Sequence, residues 1–186
     1  FDGQVTLSDR ALLTSDPAIA LRVYLAAAER QAPVLGYARD AIVQALSDDA
    51  FAENLRASDE AGHLFVRLAT WVAEVQTRAQ GHRAATLLSE LHDVGLLLAM
   101  IPEFRPVTGR AHHDIYHVYT VDVHSVRAVS MLAALSRGDL ATTFPLATRL
   151  AAEMARPRVA FMAALLHDVG KGYPDAEGSR KNHSQS

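Results

Sequence analysis

The sequence contains no cysteine, which excludes disulfides and thiolate metal sites and leaves histidine, aspartate and glutamate to hold any metal. It has no strong charge of one sign. Eighteen Lys and Arg against 21 Asp and Glu give a net charge of -3, so there is no general electrostatic pull toward nucleic acid or an anionic membrane, and neither is expected as a partner. No apolar run approaches the roughly eighteen residues of a spanning helix, and no basic stretch followed by an apolar one opens the chain as a secretory signal would. Strand-like alternation is absent over any useful length, which sets the fold class as all-α. The chain opens at Phe1 without a methionine, and we read it as a piece of a larger cytoplasmic protein.

What is present is apolar content of 49% over 186 residues, ample for a core, and a succession of helix signals. Asp16-Pro17 caps and opens a helix that Ile19, Leu21, Val23 and Tyr24 carry to about Gln31. Pro33 opens another through Leu35, Tyr37, Ile42, Val43 and Leu46. Residues 50–83 predict one or two more, with Phe51, Leu55, Leu64, Phe65, Leu68, Trp71 and Val72 as core and His63 and His82 solvated. Pro102 and Pro106 then break the pattern and mark a boundary. Thr120 is placed to cap a helix running through His124, Val126, Val129 and Leu132 to Arg137-Gly138, with Asp122 in its first turn, where negative charge suits the helix dipole. A helix around Leu146 to Met154 and another opened by Pro157 follow.

That last helix organises the chemistry. Phe161-Met162-Ala163-Ala164-Leu165-Leu166 runs directly into His167-Asp168-Val169-Gly170-Lys171-Gly172. Hard polar groups at the end of an apolar element cost about 2–7 kcal/mol each, even when neutral, unless something satisfies them. A metal held by imidazole and carboxylate meets that need, with Lys171 nearby as a cation. On a continued helix Lys171 would share a face with His167, though two glycines interrupt it. The string Leu91-His92-Asp93-Val94-Gly95 repeats Leu166–Gly170 letter for letter, but it leads into Leu96, Leu97 and Leu98 rather than a Lys-Gly loop. His92 and Asp93 are therefore expected on the polar side of a helix that buries Leu87, Leu88, Leu91 and Val94, not as ligands. Four of the nine histidines fall between 110 and 124, as His112, His113, His117 and His124. His124 stands within part of a turn of the Val-Leu seam.

The segments Tyr116-His117-Val118-Tyr119-Thr120-Val121-Asp122-Val123-His124, Ala163 to Gly172 and His183-Ser184 together resemble the HD domain of the bifunctional PII uridylyltransferase/uridylyl-removing enzymes, within the HD superfamily of metal-dependent phosphohydrolases. The Asp16-Pro17 helix and the Gly95 to Phe104 segment are similar to that family's connecting helices, so the resemblance covers nearly the whole chain. It implies a multi-helix bundle with a helical connecting region over 1–108 and an HD core over 109–186 that stops short of the family's C-terminal part. Carried over, His124, His167 and Asp168 are metal ligands, Lys171 stands beside the phosphate, and His183 follows the glycine-rich loop as a further ligand or general acid. Asp168, Lys171 and His183 form the catalytic set. His117, Tyr119 and Asp122 either touch substrate or support His124; a satisfied polar cluster capping the helix is the other reading of these three. The implied cofactor is a divalent metal, Mn or Mg, with Fe, Co or Zn also suited to the donors. The implied partner is a uridylylated PII signalling protein, alongside the remaining domains of the parent chain. The family supplies a further Asp beyond the position of Ser186, so the site is expected to be incomplete in this piece and weakly occupied. Two other readings stay open: a phosphohydrolase of small nucleotides, and a catalytically silent helical regulatory module.

Overall fold

The computed structural model describes residues 3–73, 86–109 and 119–173, and these form ten α-helices with two short 3-10 turns. Near the N-terminus of the described residues, Val5 and Val34 make a single parallel bridge. The Val5 amide donates to Pro33 O, and Val5 O accepts from Leu35 N. Helix α1 (Ala11–Ser15) was not foreseen. It precedes α2 (Ile19–Arg30), whose start is set by Asp16 accepting from the Ala18 amide at 3.0 Å. Then come α3 (Gly36–Leu46), α4 (Asp49–Ala57) and α5 (Asp59–Ala69). The last two are capped by the Asp48 and Ser58 side chains, each satisfying an amide that the helix itself leaves unpaired.

Two expectations about α3 need correction. Tyr37 and Val43 are exposed; the helix buries Ile42 as expected, together with Ala38 and Ala41. Small residues on that face let α3 sit close to its neighbours, which turns the bulkier ones outward. Trp71 and Val72 lie half-buried against the core, while His63 is exposed as expected.

The stretch from Leu87 to Ile101 is not one helix. It forms α6 (Leu87–Asp93) and α7 (Leu96–Met100), divided at Gly95 with φ +85°. That conformation is left-handed, which glycine adopts without the penalty a Cβ would impose. A 3-10 turn over Pro102–Phe104 then plugs Phe104 fully into the core.

The helices that matter for the site are α8 (Val121–Arg137), α9 (Pro145–Ala152) and α10 (Pro157–Leu166). Thr120 stands immediately before α8, but its side chain makes no capping hydrogen bond, contrary to expectation; Gly138 with φ +87° ends the helix, and proline holds the first position of α9 and α10 as the sequence signals. Both α9 and α10 pack on α8; α6 packs on α8 and α5 on α10. One continuous core therefore includes residues from before and after Pro106, from Leu21 and Leu55 to Val129 and Leu165.

Helix α10 departs from the expectation of a buried element. It buries Phe161 and Leu165, each worth about 1.5–3 kcal/mol relative to exposure, but leaves Val159 and Leu166 exposed. Its apolar composition exceeds what its neighbours among the described residues cover. Beyond it, a second 3-10 turn (Val169–Gly172) is pinned to the chain near residue 106. A Cβ on Gly172 would come within 2.7 Å of Val107 and 2.8 Å of Pro106, so only glycine permits that approach. The Tyr173 hydroxyl donates to Glu103 O at 3.3 Å.

Candidate metal centre

The site forms where the first turn of α8 meets the end of α10. His124 sits one turn into α8, with its amide donating to Thr120 O at 2.8 Å. His167 caps α10 in helical conformation, and Asp168 follows at the turn. One ligand atom from each of His124, His167 and Asp168 lies within 4.8 Å of the others. The two imidazole rings are 5.3 Å apart between centroids, and both nitrogens approach the same carboxylate oxygen. Oδ2 of Asp168 is 3.2 Å from His167 Nε2 and 3.7 Å from His124 Nε2.

His167 is oriented by its other nitrogen. Nδ1 donates to the Ala164 carbonyl at 2.8 Å; a carbonyl can only accept, so Nδ1 carries the hydrogen and Nε2 turns toward the carboxylate. This is the usual way a protein holds a ligating histidine, with the far nitrogen tied to backbone. The donor set fits a divalent ion. Two ligand atoms held at about 2.0–2.2 Å by one ion stand no more than about 4.4 Å apart, and Oδ2 of Asp168 lies within that distance of both Nε2 atoms.

The electrostatics of Asp168 are opposed. Burial pushes its carboxyl up, but the hydrogen bond from Lys171 and the neighbouring His167 and His124 bring it below the ordinary carboxylate value on balance. Lys171 Nζ lies 2.8 Å from Oδ2, the oxygen both histidines face. Sequence spacing had put Lys171 over His167 on a continued helix. The tighter 3-10 geometry of residues 169–172 places it over Asp168, three positions back.

The remaining candidates separate. Asp122 is buried and turns away from the cluster, accepting a 2.9 Å hydrogen bond from His92 Nε2 on α6. Burial raises its carboxyl, but hydrogen bonds from Thr120 and His92 outweigh that and lower it overall. The sequence puts His92 on the polar side of its helix; in the structure it turns instead to the buried Asp122. It ties α6 to the turn that carries His124, whereas Asp93 is exposed, as expected. Tyr119 lies under the guanidinium of Arg127, whose carbon is 4.1 Å from the ring centre. His117 and His183 fall outside the described residues, as do His82, His112 and His113. The sequence reading named His92 but missed its contact with Asp122, and it did not single out Arg127.

Fold and site together define an all-α protein with two imidazoles and a carboxylate converging from two helices. Comparison with known proteins carries this further, for the chain is homologous to a segment of the bifunctional uridylyltransferase/uridylyl-removing enzymes. The enzyme of that name from Gluconobacter oxydans is 35% identical over 132 residues, 71% of this chain and 14% of the relative. That from Azotobacter vinelandii is 30% identical over 176 residues, 92% of this chain and 18% of the relative. That from Cereibacter sphaeroides is 39% identical over 88 residues, 47% of this chain and 10% of the relative. The chain thus spans less than a fifth of the length of these relatives. No protein-family profile and no solved structure matches it. No helix among the described residues is long and apolar enough to cross a membrane.

Proposed function

We propose that this chain is an HD-type metal-dependent phosphodiesterase that carries the uridylyl-removing activity of its relatives, hydrolysing the bond between uridine 5′-phosphate and a tyrosine of a PII signalling protein. Water adds to phosphorus, the phosphorus–oxygen bond to tyrosine breaks, and the products are UMP and the free tyrosine hydroxyl. The observation that carries the reading is the convergence of His124, His167 and Asp168, with His167 Nδ1 committed to the Ala164 carbonyl.

His124, His167 and Asp168 would hold a divalent ion, Mn or Mg in the first instance. Bound there, the ion supplies Lewis acidity toward a phosphoryl oxygen and lowers the pKa of water. The protein's own part is to fix the donors. The Ala164 carbonyl orients one imidazole, and the first turn of α8 presents the other. The hydrogen bond from Lys171 favours the ionised form of the Asp168 carboxylate, and a cation binding there takes the place of the ammonium. His183 follows the glycine-rich loop at the position the family uses for a further ligand or proton donor, and we assign it that role.

A substrate carried on a protein surface suits an open site, and the His124 and His167 side chains are 43% and 41% exposed.

The test is release of UMP from uridylylated PII by the full-length protein with Mn²⁺ or Mg²⁺, against a His167→Ala, Asp168→Ala double variant. The expected result is release by the wild type alone, with a panel of free cyclic and pyrophosphorylated nucleotides left intact. Equal release by both proteins would end the proposal.

A further inference from the structure

Arg127 has a place in the site that the metal cluster does not account for. It lies three residues after His124 on α8, so the two Cβ atoms are about 5–6 Å apart. Its guanidinium carbon rests 4.1 Å from the centre of the Tyr119 ring. Tyr119 precedes the helix, so Arg127 must run back toward the α8 N-terminus to reach it, the direction in which helical side chains lean. In doing so it passes the turn that carries Val123 and His124. The head group is set down at the same end of α8 as the cluster.

Helical phase gives its flank. Val121, Ser125, Val126 and Val129 mark the buried side of α8; at about 100° per residue, His124 falls at the edge of that side and Arg127 about 60° further toward solvent. Arg127 is exposed, and among the described residues no carboxylate pairs with it. Lys171, the other cation at the site, is already bound to Asp168. A guanidinium resting over a ring keeps its N–H donors around the rim, in the fork geometry that matches two oxygens of a phosphate.

We infer that Arg127, held over Tyr119, is a phosphate-gripping subsite beside the His124/His167/Asp168 cluster, and that it takes the non-bridging oxygens of a phosphate ester brought to that cluster. The uridylyl-tyrosine assignment of the ester rests on the function proposed above. The anion class does not, because it follows from the position and donor geometry of Arg127.

The experiment measures binding of inorganic phosphate and of UMP to the protein by calorimetry, with and without Mn²⁺, for wild type, Arg127→Gln, Arg127→Lys, Tyr119→Phe and Tyr119→Leu. Both anions are expected to bind the wild type. Arg127→Gln should weaken both by about tenfold or more, a scale consistent with loss of a charged hydrogen-bonding pair, with Mn²⁺ affinity unchanged within twofold. Arg127→Lys should recover part of the loss. Tyr119→Leu should weaken binding several-fold, and Tyr119→Phe, which keeps the ring, should not. Anion affinity of Arg127→Gln within twofold of wild type would overturn the inference, as would a wild type that binds neither anion. Should uridylyl release fail while Arg127→Gln still loses phosphate, the hydrolase reading falls and the subsite stands.

Discussion

Two copies of the string Leu-His-Asp-Val-Gly end up with opposite geometry. In the first, Leu91 and Val94 are buried, His92 reaches inward to the buried Asp122, and Asp93 is exposed. In the second, Leu166 and His167 are exposed and the Asp168 side chain is only 13% exposed. The cause is a shift of one residue in helical phase. The first copy buries its own leucine, whereas the second follows a helix whose buried leucine is Leu165, the residue before the string. One residue is about 100° of rotation, enough to exchange which member of the His-Asp doublet faces the protein. The carboxylate turned inward at 168 can collect two imidazoles around it. The one turned outward at 93 cannot.

The sharpest way to break this comparison is to remove each carboxylate in turn. Asp168→Ala should lower Mn²⁺ affinity by about 100-fold or more, since even residues that only support a ligand contribute about 10–100-fold. Asp93→Ala should leave it within twofold of wild type. Free Mn²⁺ followed by electron paramagnetic resonance during titration measures both. Similar affinities for the two variants would mean that phase does not set the site.

The histidines should rank the other way in stability. His92→Ala strands the buried carboxylate of Asp122 without its imidazole partner, and should cost about 2 kcal/mol, seen as a lower urea midpoint with unchanged slope. His167→Ala removes an exposed ring and should cost under about 0.5 kcal/mol, while abolishing Mn²⁺ binding that His92→Ala leaves intact. A His92→Ala protein as stable as wild type would show that the contact to Asp122 carries no energy.

The parts of this arrangement that the sequence announces are those fixed locally. Gly138 closes α8, and Pro145 and Pro157 open α9 and α10, because a glycine after the last turn and a proline in the first act within a turn of where they stand. The convergence of His124, His167 and Asp168 was also anticipated, through the paired motifs and the resemblance they carry. What could not be read is whatever depends on tertiary phase. The break at Gly95 looks like a continuing helix, since a lone glycine is tolerated inside one. The inward turn of His92 depends on where α6 lies against α8, and the exposure of Tyr37 and Val43 on how closely the alanine face of α3 packs. Lys171 meets Asp168, not the His167 that a continued helix would give it, because the chain tightens from α-helix to 3-10 geometry at the doublet, replacing a four-residue spacing with a three-residue one.

That last shift leads to a smaller effect with an unexpected sign. Lys171 Nζ occupies the Asp168 oxygen that both imidazoles face, so a divalent ion taking that oxygen must displace the ammonium. The lysine side chain is 44% exposed, and an ion pair this open to water holds about 0.2–1 kcal/mol, or about a 1.5- to fivefold factor in affinity. Lys171→Met should therefore tighten Mn²⁺ binding by about that factor, even as it weakens any help the lysine gives to a phosphate. Asp93 has no lysine three residues on, so Leu96→Met, which alters the corresponding position in the first copy, should leave Mn²⁺ affinity unchanged. Calorimetric titration of Mn²⁺ into the two variants and the wild type reads the difference directly. Weaker Mn²⁺ binding by Lys171→Met would show that the ammonium organises the ligands instead of competing with the ion.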